Sequence, residues 1–201
     1  MGEKFMRFNV KIILMIALAA GGIFMVNQNG DGSGPGYKEY SSEDVEINIM
    51  MDYLPDWRYQ EHRGSYGSYA QVQFYGAVTD GFAPSIIVTV VPSSKGTFEP
   101  RTIEAMADEI VTQRAHFKDA EVLARLESTL LGLPAVDMTL AYKQPDQLRS
   151  LNFTMVPFKE RVVVVQKGER FYTLRYVNPE KSFQEYENDF LHGLATFRVK
   201  E

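Results

Sequence analysis

SIIVTVV, Ser85 to Val91, stands between Pro84 and Pro92 and is almost continuously apolar and β-branched. A strand with one face in water alternates polar and apolar residues, so a run without alternation predicts a central strand covered on both faces. The surrounding sheet is therefore expected to carry layers on both sides.

Shorter strands read outward from it. Val45, Ile47, Ile49 and Met51 alternate with Glu46 and Asn48, and Ala70, Val72 and Phe74 alternate with Gln71 and Gln73, the period of half-buried strands. After Pro100 and Thr102, the residues Ile103, Met106, Ile110 and Val111 recur at helical spacing, with Glu104, Asp108 and Gln113 free to face water. The chain then returns to strands. Val122 to Thr129 is followed by a turn at Gly132 to Pro134 and by alternation through Val136, Met138, Leu140 and Tyr142. A turn is expected at Pro145 and Asp146, then alternation at Leu151, Phe153 and Met155. Val162 to Gln166 leads through Lys167-Gly168, read as a two-residue hairpin loop, to Phe171 to Val177. Phe183, Tyr186, Phe190, Leu191 and Leu194 repeat at three and four, the pattern of a second amphipathic helix. Strands, helix, consecutive hairpins and helix add up to an α+β fold, a mainly antiparallel sheet sandwiched between helices.

Composition sets the class. With 45% hydrophobic, 12% aromatic and 23% charged residues in a chain of 201, the usage is globular. A domain of roughly 160 residues buries about 70% of the surface its unfolded chain exposes, so neither metal nor disulfide is needed for stability. There is no cysteine, which excludes thiolate metal sites, iron-sulfur clusters, thiol nucleophiles and a lipid-modified cysteine. Residues 1 to 36 hold Lys4, Arg7 and Lys11 against Glu3 and Asp31. The rest carries eighteen basic and twenty-four acidic side chains, a net −6. An acidic domain with no basic stripe repels phosphate backbones, so nucleic acid is not an expected partner.

The N-terminus divides into a basic segment, 1 to 11, an apolar run, 12 to 26, and a glycine-rich linker, 27 to 39, ahead of the domain at 40 to 201. IILMIALAAGGIFMV, Ile12 to Val26, rises about 22 Å as a helix, short of a hydrocarbon core of roughly 30 Å, but Phe8 and Val10 extend it and Lys11 can snorkel. It reads as a membrane anchor, or else as a signal peptide cut after Ala17-Leu18-Ala19. Basic residues before the span place the domain outside the cytoplasm. The linker's GDGSGPG run imitates part of a calcium loop, but counting eleven positions from Asn29 or Asp31 reaches Tyr40 or Ser42 rather than an acid, which leaves a flexible tether.

Several stretches, in order, resemble the PsbP-like superfamily, which includes the photosystem II subunit PsbP, Ran-binding Mog proteins and bacterial inner-membrane proteins of the DcrB type. They are YLPDW at Tyr53 to Trp57, DGFAPSIIVTVVP at Asp80 to Pro92 and TIEAMADEIV at Thr102 to Val111. GLPA at Gly132 to Ala135, RFYTLRYV at Arg170 to Val177 and FQEYENDFLHGLATFR at Phe183 to Arg198 complete the series. The resemblance implies an antiparallel sheet between helices and no activity of its own, because its members bind unrelated partners. The metal-associated residues of PsbP match no positions here. The tethered external domain is similar to the DcrB arrangement, with a transmembrane helix in place of the lipid. A tryptophan stands at the YLPDW position across the pattern, so Trp57 is read as a structural anchor.

No chemistry-bearing motif emerges. His62, His116 and His192 are far apart and none has a second ligand at helical spacing; G-x-S-x-G, a Walker loop and G-x-G-x-x-G after a strand are all missing. Asp56 and Glu61 read as solvated charges, and Asn152-Phe153-Thr154 as an incidental glycosylation match. GSYGSY, Gly64 to Tyr69, is the one loop with the composition of a binding loop, and Tyr66 and Tyr69 are its interaction residues. The expected protein is a non-catalytic, membrane-tethered extracytoplasmic interaction domain, an accessory or assembly subunit with an unknown protein partner at the membrane and neither cofactor nor metal. The alternatives are a small-molecule binder, with a cleft between sheet and helix lined by Tyr172, Tyr176 or Tyr186, and a hydrolase with a dispersed site.

Overall fold

The computed structural model describes residues 36–65, 68–93, 102–145 and 154–200. The expected basic segment and membrane anchor, most of the expected linker, Tyr66 and the stretch containing Asp146, Leu151 and Phe153 lie outside them. No helix among the described residues is long and apolar enough to cross a membrane.

Seven antiparallel strands form the main sheet in the order β3-β4-β5-β9-β8-β7-β6. They are β3 (Arg58–Arg63), β4 (Ala70–Tyr75), β5 (Ser85–Pro92), β6 (Lys118–Leu130), β7 (Leu133–Pro145), β8 (Met155–Lys167) and β9 (Arg170–Pro179). A smaller sheet pairs β2 (Ile49–Tyr53) with β1 (Lys38–Ser41) and β10 (Arg198–Val199). Helix α1 (Ile103–Arg114) starts at Thr102, whose Oγ1 accepts from the Ala105 N–H, and α2 (Phe183–Thr196) follows a 3-10 turn at Glu180–Ser182.

The helices take opposite faces of the main sheet. Ile86, Val88 and Val90 of β5 and Tyr172, Leu174 and Tyr176 of β9 meet Ile49, Met51, Phe183, Phe190 and Phe197 in the larger core. On the other face, Met106, Ala107 and Ile110 of α1 pack against Val136, Met138, Leu140, Val162, Val164 and Phe171. The chain is thus α+β and mainly antiparallel, with a helix on each face.

Three local expectations need correction. Ser85 to Val91 is central, but only Ser85 and the even-numbered Ile86, Val88 and Val90 are buried. Ile87 and Thr89 are only partly buried, and the side chains of Thr89 and Ser85 hydrogen-bond Gln71 and Gln73 at 3.2 Å, because α1 packs over β7 and β8 instead. Val45 to Asn48 is a turn. The Asp44 carbonyl accepts the N–H groups of Ile47 and Asn48, its carboxylate accepts that of Glu46, and Asn48 takes φ 49°. The two hairpin loops are displaced by one residue from their sequence signals. They fall at Leu131-Gly132, both with positive φ (58° and 71°), and at Gly168-Glu169, where Gly168 has φ 60°.

Candidate functional site

The loop between β3 and β4 brings Tyr69 to one end of the main sheet. Gly64 N–H donates to the Tyr69 carbonyl at 2.8 Å, and the ring lies over the glycine so closely that a Cβ there would stand 2.5 Å from Tyr69 Cδ1. Glycine is required by this approach, whatever its φ. Tyr69 then borders a cavity of about 230 Å³ with an apolar floor of Ala70, Val90 and Pro92 and a rim of Glu46, Arg63, Gly64 and Arg170. Two cations in this lining stand out against a domain of net negative charge.

Both arginines also hold the Asp44–Asn48 turn. Arg63 Nε donates to Asp44 Oδ2 at 2.6 Å. Burial pushes the Asp44 carboxyl up, but the hydrogen bonds from Arg63 and from the Glu46 and Ile47 N–H groups outweigh it and hold that carboxyl below its ordinary value. Arg170 Nη1 donates to the carbonyls of Val45 and Glu46 at 2.9 and 3.0 Å. The turn so fixed presents Val45 to solvent, 72% exposed. Tyrosine and arginine are residue types enriched in interface hot spots.

Trp57 is not part of this rim. It lies in the core, 4% exposed, its backbone N–H on the Leu54 carbonyl at 3.0 Å and its ring edge-on to Tyr186 at 5.4 Å. Gly76 backs it, since a Cβ there would stand 2.9 Å from Trp57 Nε1 and 3.0 Å from Pro84. The expected cleft between sheet and helix is not built by its tyrosines. Tyr172 and Tyr176 are filled core positions, Tyr176 Oη donates to the Phe183 carbonyl at 2.7 Å, and Tyr186 packs on Trp57. Glu61 and Asp56 are both exposed, as expected of solvated charges, and Glu61 also accepts from Tyr40 Oη at 2.6 Å.

The most perturbed carboxylate is Glu160 on β8, which no sequence signal marked. Arg114 of α1 binds it through Nε at 2.6 Å and Nη2 at 3.0 Å, Arg175 through Nε at 2.5 Å and Tyr142 through Oη at 3.1 Å. Burial pushes its carboxyl up, yet the two guanidiniums prevail and bring it to about 2. Such a group is a fixed anion with its lone pairs engaged. It staples α1 to the sheet and is not poised for proton transfer near neutrality.

The histidines do not converge. His62 is on β3, its ring pKa lowered by burial; His116 is exposed beyond the end of α1; His192 on α2 contacts Asp52 at 2.9 Å and stacks on Tyr37 at 3.8 Å. No group of three His, Asp or Glu suited to a metal occurs among the described residues.

No family model and no curated protein sequence matches the chain. Solved structures do. Cyanobacterial PsbP (CyanoP) of Synechocystis sp. PCC 6803 superimposes with a TM-score of 0.56 at 14% identity, covering 86% of this chain and 98% of its own. LpqN, involved in cell envelope biogenesis of Mycobacterium tuberculosis, gives 0.52 at 12% identity over 82% and 91%. The Saccharomyces cerevisiae Ran-binding protein Mog1p gives 0.49 at 14% over 81% and 95%. With the first two covered almost end to end, the chain has the PsbP-like fold.

Proposed function

We propose that this protein is a non-catalytic interaction domain, tethered through residues 12–26 outside the cytoplasm and serving as an accessory or assembly subunit of a membrane-associated complex. The observation that carries the reading is the patch at the sheet end, where Glu46, Arg63, Tyr69 and Arg170 surround an apolar floor and Arg170 also holds the backbone of the exposed Val45. Tyrosine and arginine dominate binding energies at protein interfaces, and a turn held by two arginines is ordered before a partner arrives, which lowers the cost of association. The basic start followed by an apolar run supports the tether. Trp57 serves as a structural anchor. The involvement of LpqN in cell envelope biogenesis is compatible with this placement and gives it no partner.

Crosslinking in intact cells followed by partner identification tests the reading, which predicts a reproducible partner that is lost in Tyr69→Ala and Arg63→Ala. Mass spectrometry of the native N-terminus tests the tether: an intact Met1 or Gly2 start is expected, whereas a start near Ala20 means secretion after cleavage. A small molecule could use the sheet-end cavity. About 230 Å³ is below the usual range for drug-sized ligands, which favours the protein partner.

A further inference from the structure

Strand β6 is the outer edge of the main sheet, solvent-exposed along almost its whole length. It carries Val122, Leu123 and Leu126 among the exposed large apolar side chains, Leu126 at 64%. Soluble proteins guard such edges with bulges and charges. Here the irregularities fall between Lys118 and Ala124 and guard only the first half. From Ala124 to Leu130 the ladder with β7 is unbroken.

Counting back from the two-residue loop, Leu130 faces Leu133 in a hydrogen-bonded pair, so the even-numbered residues direct their backbone groups to β7. Arg125, Glu127 and Thr129 therefore direct theirs outward. A second β6 added antiparallel about a two-fold axis must set outward residues against outward residues. Centring the pair on Arg125 or on Glu127 opposes like charges. Centring it on Leu126 places Arg125 against Glu127 of the second copy, twice by symmetry, and Leu126 against Leu126. Arg125 and Glu127 lie on the same face, opposite Met138 and Val136. The existing Arg125–Asp108 pair at 2.5 Å is exposed and weak, so it does not withhold the arginine.

We infer that a second copy of this chain docks on β6, joining the two main sheets into one through an antiparallel pairing centred on Leu126. The native chain has no cysteine, so single cysteines report the register cleanly. Residues opposed in a non-hydrogen-bonded pair have Cα atoms about 4.5 Å apart, within disulfide range. In the full-length chain in detergent, Leu126→Cys is expected to give a disulfide-linked dimer as the main product of mild oxidation. Ser128→Cys is expected to stay monomeric, because the two Ser128 Cα atoms would be about 14 Å apart along the strands. Sedimentation should show Arg125→Glu and Glu127→Arg each weakening dimerisation at least tenfold, and the double swap restoring it. A Leu126→Cys protein that stays monomeric, a Ser128→Cys protein that crosslinks as readily, or a double swap that fails to recover the dimer overturns the pairing.

Discussion

Arg114 and Glu160, 46 residues apart in sequence, meet in a two-point guanidinium–carboxylate contact at 2.6 and 3.0 Å with almost no exposure to solvent. Removing one partner of such a group strands the others as uncompensated buried charge. Glu160→Ala should therefore cost about 3 to 5 kcal/mol in urea denaturation. The exposed Arg125–Asp108 pair supplies the contrast: Asp108→Ala should change stability by less than about 1 kcal/mol. Equal effects at the two sites would contradict the role assigned to Glu160.

The same contact fixes an acid limit. The folded Glu160 carboxyl lies at about 2, below its ordinary value of 4.5. The unfolded chain thus takes up this proton first as pH falls, and the associated stability is complete above about pH 4.5 and lost progressively toward pH 2. Urea midpoints measured across that window should decline steadily. A midpoint constant from pH 5 to pH 2 would show that Glu160 is not held ionised.

Trp57 and Gly76 should behave as one packing unit. Trp57→Ala is expected to cost roughly 3 to 5 kcal/mol, the range for a buried large aromatic. Gly76→Ala should cost about 1 to 3 kcal/mol by forcing a Cβ against the indole and Pro84. Thermal or urea unfolding distinguishes this from a binding role, in which Trp57→Ala would leave stability within about 1 kcal/mol and remove partner capture.

Much of the scaffold was legible because periodicity reports burial directly. The helix face of Met106 and Ile110 and the alternation of Val72 and Phe74 are each set by which side of one element meets the core. Elements whose stability depends on distant partners were not legible. The polar β3, RYQEHR, offers the core only Tyr59 and is a strand because β4 pairs with it. Val45 to Asn48 imitates strand alternation, but the Asp44 side chain offers its backbone a local alternative that wins. At the candidate site, loop composition pointed to Tyr69, whereas Arg63, Arg170 and Glu46 reach it from β3, β9 and the turn before β2. Nothing in their local sequence marks that meeting, and the same holds for Arg114, Glu160 and Arg175.

Val45 and Val78 offer the most direct test of the interaction patch, since both are strongly exposed, 72% and 68%, yet sit at opposite ends of the main sheet. A photoreactive residue introduced at each position of the full-length chain in intact cells, followed by identification of crosslinked proteins, separates a site from mere exposure. A specific partner should be captured from position 45, lost on adding Arg63→Ala, with no such capture from position 78. Equal capture at both ends, or capture from position 78 alone, would contradict it.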